Sequence, residues 1–183
     1  MKKVFLLSAM AGLMFTAACG GSSDSSTDTT ATEDASASTE AAAAAPVAAD
    51  IPGLADVEVS NDVVLEGNDL MQFDKNLLRV KAGEKVTLTF KNVGELPKES
   101  MGHNVIVLKP GTDVSAFGAE AIKAVNNEYV PVTFTSSIVA HTKLLGPGEE
   151  DMIEFVLDAP GVYPYLCSFP GHYGIMQGQI VAE

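Results

Sequence analysis

The sequence has no tryptophan, two cysteines and three histidines in 183 residues, and only 11 basic residues against 24 acidic ones. Each scarcity narrows the function. A chain so poor in Lys and Arg lacks the basic footprint that nucleic acid requires. One of the two cysteines, Cys19, falls in an N-terminal export segment. The folded part is left with Cys167 alone and no partner for a disulfide. Long apolar runs are also missing after the first twenty residues, and no repeat or second domain is present.

What the N-terminus does contain is an export signal. Lys2 and Lys3 precede an apolar run, Val4 to Phe15, and the small residues Ala17 and Ala18 precede Cys19. The run is too short and wrongly flanked for a spanning helix. Cys19 sits where bacterial lipoprotein signals place their acceptor cysteine, although Thr16 stands where Leu is usual. That resemblance implies cleavage of residues 1–18 and a lipidated Cys19 anchoring the protein to a membrane without spanning it. Gly20 follows, not the Asp that often retains lipoproteins at the inner membrane, which favours the outer membrane. Residues 19–50 are Ala, Ser, Thr and acid with no aromatic residue, a composition unable to bury enough apolar surface to order itself. They read as a flexible tether.

Residues 51–183 form one domain, with nine basic and 18 acidic residues and a net charge of −9. Such a charge suits a positively charged protein partner steered over long range. Strand signals recur between turn signals. Val86, Leu88 and Phe90 alternate with Thr87, Thr89 and Lys91. "HNVIVLKPG" is β-branched and ends in Pro110 and Gly111, Ile153, Phe155 and Leu157 share a face, and Tyr163, Tyr165 and Cys167 alternate. Thr112 to Asn127 breaks this rhythm with Val114, Phe117, Ala121 and Val125 at helical spacing, and Thr112 or Asp113 can cap it. The expected fold is all-β: a Greek-key β-sandwich or barrel of seven to eight strands with one inserted helix.

"CSFPGHYGIM", residues 167–176, concentrates the rare ligand types. Cys167 ends a strand, Ser168 to Gly171 turn the chain, and His172 and Met176 follow, so one loop returns three side chains toward a common point. A fourth ligand must be His103 or His141. Two imidazoles, a thiolate and a thioether are the ligand set of a blue-copper electron-transfer site. Taken singly, Cys167 and Met176 also read as core fillers, and Pro170 and Gly171 as a plain turn. Zinc is the alternative metal, but methionine is not among its usual ligands. A Cys–His thiol enzyme needs a base and an orienting group and leaves Met176 unexplained.

"GHN" at 102–104 and "CSFPGHYGIMQG" at 167–178, with "NDLMQF", "LPKESMGHN" and "VAHTKLLGPGEED", resemble the azurins, small bacterial cupredoxins, over nearly all of 51–183. The resemblance implies a copper cofactor held by His103, Cys167 and His172, with Met176 as distant axial ligand and the Gly102 carbonyl opposite. It implies that Asn104 ties the two ligand-bearing segments and helps place a backbone donor near the sulfur, with Phe169 beside the site. It implies that His172 lies at the surface in an apolar patch with Met101, Phe169, Gly171 and Ile175, where partners dock, and it makes His141 a surface residue. The implied protein is a monomeric periplasmic electron carrier, not an enzyme, exchanging electrons with c-type cytochromes, a terminal reductase or a cytochrome complex. A copper-sequestering or copper-delivery lipoprotein using the same residues is the alternative. Three departures stand out: no disulfide, Asn92 at about the place of a buried pH-responsive histidine, and Val105 where Trp is common.

Overall fold

Residues 51–183 are the described part of the computed structural model. The export signal assigned to 1–18 and the tether with Cys19 assigned to 19–50 lie outside the described residues. Nine strands form, rather than seven or eight: β1 (Asp62–Asn68), β2 (Gln72–Phe73), β3 (Leu77–Val80), β4 (Lys85–Asn92), β5 (Ile106–Leu108), β6 (Ile138–His141), β7 (Glu150–Val156), β8 (Gly161–Leu166) and β9 (Gln177–Ala182). Two short helices join them, α1 (Lys98–Met101) and α2 (Val114–Ala121).

The strands build two sheets. One has the order β2-β1-β4-β7 and the other β3-β9-β8-β5-β6, so the molecule is an open sandwich and not a closed barrel. Each sheet contains one parallel pair, β1 with β4 and β3 with β9. Alternation fixes which face is inward. Val86, Leu88 and Phe90 of β4 are buried, as are Leu65 of β1, Tyr163 and Tyr165 of β8 and Ile180 of β9. They form the main core with Val105, Val107 and Leu145. Each large apolar side chain so buried contributes roughly 1.5–3 kcal/mol. Strand β5 is buried on both faces, because α2 covers its outer side: Ile106, Leu108 and Leu166 pack with Phe117 and Ala121.

The inserted helix is shorter than its sequence pattern. Asp113 caps it as expected, its Oδ1 accepting the Ala116 N–H at 2.9 Å. Past Ala121 the bonds tighten to the three-residue spacing, Lys123 to Glu120 and Ala124 to Ala121, a geometry that does not propagate. Val125 therefore falls in a separate 3-10 turn and is exposed. After it, Glu128 and Tyr129 both take left-handed backbone angles (φ 52° and 64°). That conformation is costly for residues with a Cβ, and here the turn it makes faces the candidate site. Helix α1 has no hydrophobic periodicity and gave no helical signal. Its four residues follow Pro97, whose carbonyl accepts from Ser100 and Met101.

Candidate metal centre

His103, Cys167 and His172 converge at one end of the sandwich. Their ligand atoms all lie within 4.8 Å of one another, and all three residues are buried. The Cys167 sulfur stands 3.8 Å from His103 Nδ1 and 3.5 Å from His172 Nδ1. Metal bonds of about 2.0 Å to nitrogen and 2.3 Å to sulfur, spread at roughly 110–120°, separate the two atoms by about 3.5–3.8 Å. Both sulfur–nitrogen distances thus suit a single shared ion. Met176 is fully buried and packs with Cys167, Phe169 and Leu144, with Met71, Phe73 and Tyr129 around them.

Each ligand is placed by backbone pairing. His103 bridges Leu145 in both directions, its N–H donating to Leu145 at 3.0 Å and its carbonyl accepting at 2.7 Å. The Leu145 carbonyl also accepts from buried Asn92 at 3.1 Å. Cys167 leaves the end of β8, and its N–H donates to the Met176 carbonyl at 2.9 Å, which closes the ligand loop on itself. Inside the loop the His172 N–H donates to Phe169 and the Met176 N–H to His172.

Asn104 joins the two ligand-bearing segments. Its Oδ1 accepts the Ser168 N–H at 2.8 Å, and its Nδ2 donates to Ser168 Oγ at 2.8 Å and to the Glu128 carbonyl at 3.2 Å. The backbone N–H groups of Asn104 and Phe169 act on the Cys167 sulfur and favour its thiolate. Burial is the larger effect and pushes the thiol up to about 12. The imidazoles are pushed the other way. Burial, then the neighbouring His103, takes His172 down to about 4; burial also lowers His103, against the opposing influence of the Asn68 carbonyl and Asp69. The metal-free set at neutral pH is therefore an uncharged thiol and two uncharged imidazoles. A metal must displace the thiol proton but no imidazolium proton.

The implied surface position of His172 needs correction. It keeps only 2% of its surface exposed, and Phe169 is also buried. The ring is flanked by Phe169 at 4.8 Å and His103 at 5.0 Å between centroids, so it lies just beneath the surface. The residues that stand out around it are Gly171 and Ile175, which is 59% exposed, with Met101 half-buried. His141 is exposed at the end of β6 and is not in the cluster.

Several contributors were not visible in the sequence. Glu128 holds two segments at once: its carbonyl takes the Asn104 amide and its Oε2 accepts the Leu144 N–H at 3.1 Å. Tyr129 sets its ring edge-on to Phe169 at 5.1 Å. Tyr173 of the ligand loop lies over Gly118 of α2 so closely that a Cβ there would stand 2.5 Å from its ring. Gly102 is equally confined, because a Cβ would meet the Lys98 carbonyl at 2.6 Å.

Residues 58–183 match the family of copper-binding proteins described as plastocyanin/azurin. The chain belongs to that family. It is 43% identical to an azurin of Alcaligenes faecalis over 124 residues, 65% of this chain and 95% of that protein. It is 39% identical to outer membrane protein H.8 of Neisseria gonorrhoeae over 121 residues, 63% of this chain and 64% of H.8. Among solved structures, a reduced auracyanin from Roseiflexus castenholzii superposes with a TM-score of 0.62 at 35% identity, covering 69% of this chain and 99% of that one. The cofactor is copper, and His103, Cys167, His172 and Met176 are arranged as a type 1 copper site. Soft sulfur and imidazole together suit both oxidation states of that metal, and this cupredoxin is a blue-copper electron carrier.

Proposed function

We propose that the chain is an exported one-electron carrier, anchored to a membrane through Cys19 and shuttling electrons between membrane-associated redox proteins outside the cytoplasm. The observation that carries this reading is the buried Cys167 sulfur held 3.5 and 3.8 Å from two imidazole nitrogens. When bound there, copper supplies the Cu(I)/Cu(II) couple. The protein's part is to keep the ligands still while the charge changes: the Asn104 bonds, the His103–Leu145 bridge and the closed Cys167–Met176 loop fix the segments that carry them. Burial of all three strong ligands excludes water and disfavours ready metal release, which supports a carrier over a copper-delivery protein.

The docking surface is the rim around His172, made of Met101, Gly171 and Ile175, with electrons passing through the imidazole just beneath it. The Gly102 carbonyl would act as a weak further ligand to the copper. Partners are c-type cytochromes, a terminal reductase or a cytochrome complex, approached by a monomer. The H.8 relative's name places that protein in the outer membrane, and the same location is proposed here, with the tether raising local concentration near membrane-bound partners. Stopped-flow oxidation of a reduced c-type cytochrome by the copper-loaded chain tests the reading. Rapid one-electron exchange that Ile175→Lys slows is expected. No exchange, with copper passed readily to a chelator, would contradict it. Retention of a Cys19→Ala protein in membranes would contradict the anchor.

A further inference from the structure

Strand β1 carries a glycine where a strand has least use for one. Gly67, next to the end of the strand, is buried and paired on both sides, with Asn92 and with Phe73. Glycine weakens a strand there and marks a close approach, and φ at Gly67 is not positive, so the backbone does not demand it. Space does. A Cβ at Gly67 would stand 2.8 Å from Met176 Cε and 3.0 Å from Phe90 Cζ. Gly67 belongs to the first sheet and Met176 to the loop entering β9 of the second, so the thioether end reaches across the sandwich and rests on bare backbone.

Methionine has three free torsions and fills whatever shape surrounds it. Nothing within Met176 fixes its sulfur; its cradle does. Of the two groups that meet a new methyl at Gly67, Phe90 is a fully buried ring packed edge-on against Phe73, whereas Met176 Cε is the free end of a flexible chain. A methyl at Gly67 therefore moves Met176. Building on the copper reading, we propose that Gly67 is a positioning residue for the axial ligand: its missing side chain sets where the Met176 thioether stands relative to the His103, Cys167 and His172 donors, and so helps set the reduction potential.

The test is a double-mutant cycle on the copper-loaded protein, read by voltammetry and by the visible spectrum. Gly67→Ala is expected to change the Cu(II)/Cu(I) balance at least tenfold, a shift of about 59 mV for a one-electron couple, and to alter the visible bands. In a Met176→Leu background, similar in bulk, Gly67→Ala should then leave the potential unchanged, because the coupled group is gone. Equal shifts in both backgrounds, or none in the wild-type background, would overturn the proposal. Should Gly67→Ala alone not fold, Gly67→Ala/Phe90→Leu opens the Phe90 side of the clash and keeps the Met176 side. The double variant must still show the shift, and a wild-type potential in it would overturn the proposal. An intense blue band in the wild-type protein keeps the copper reading intact whichever way the cycle comes out.

Discussion

Asn104 and Ser168 are 64 positions apart and exchange two short hydrogen bonds, one to the Ser168 amide and one to its hydroxyl, both at 2.8 Å. Each residue adjoins a ligand, Asn104 next to His103 and Ser168 next to Cys167. The pair fixes the spacing of the two ligand segments independently of any metal. Asn104→Ala leaves the buried Ser168 N–H without its acceptor, at about 1–3 kcal/mol for such a group. Urea denaturation of the metal-free protein should show a loss of about 2–3 kcal/mol and the copper-loaded protein a shifted visible band; a loss under about 0.5 kcal/mol would argue that the segments are held elsewhere.

Gly118→Ala tests whether α2 supports the ligand loop. The new methyl would lie 2.5–2.6 Å from three atoms of the Tyr173 ring. Overpacking of this kind costs about 1–3 kcal/mol. Because the displaced ring belongs to the loop carrying His172 and Met176, the variant should also lose copper to a chelator faster than wild type. Tyr173→Ala combined with Gly118→Ala should recover most of the stability lost through the clash. A Gly118→Ala protein with unchanged stability would show that Tyr173 yields freely.

The metal-free protein should be acid-sensitive in a particular window. His172 is held down to about 4 and His103 is also lowered, both chiefly by burial. The unfolded chain then binds protons near pH 6.5 that the folded chain refuses, so stability falls as the pH drops below the unfolded value toward 4. The raised Cys167 thiol works at the other end, with stability lost as pH rises above its ordinary value. Urea midpoints between pH 7 and 4 measure the acid limb, and His172→Gln should flatten it. An unchanged slope in that variant would assign the acid limb to His103 or to carboxylates.

Asn92 connects β4 to the copper end without titrating. It donates to the Leu145 carbonyl at 3.1 Å and accepts the Gly94 N–H at 2.9 Å, and the same Leu145 carbonyl receives the His103 N–H. The wild-type potential should therefore show no pH step from this position between pH 5 and 8. Asn92→His should introduce one, with a slope of at most about 59 mV per pH unit, the value for one proton per electron. Voltammetry across that range decides it, and a step already present in the wild type would contradict the assignment.

Much of the site was legible because its ligands are rare residues crowded into few positions. Cys167, His172 and Met176 share one loop, and with only three histidines in the chain the remaining ligand had two candidates. The strand alternation of Val86, Leu88 and Phe90 likewise gave β4 and its inward face. What could not be read are roles created by contact across the fold. Gly67 and Gly118 look like weak points in a strand and a helix until Met176 and Tyr173 are placed on them. Glu128 and Tyr129 give no turn signal in sequence, since their left-handed backbone is imposed by bonds to Asn104, Ala124 and Leu144. The helical spacing through Val125 misled because periodicity does not register where α2 tightens and stops. The near-complete burial of His172 depends on the nearby Phe169 ring together with the His103 ring, and only the fold brings His103, 69 positions away, against it.

The most direct measurement is a Cu(II) titration of the chain followed by visible absorption. One equivalent should produce an intense thiolate-to-copper band, saturating at one copper per chain, absent in Cys167→Ser and in His103→Ala and shifted in Met176→Ala. A colourless complex, or a band that survives loss of the Cys167 thiol, would contradict the assignment of a blue-copper site.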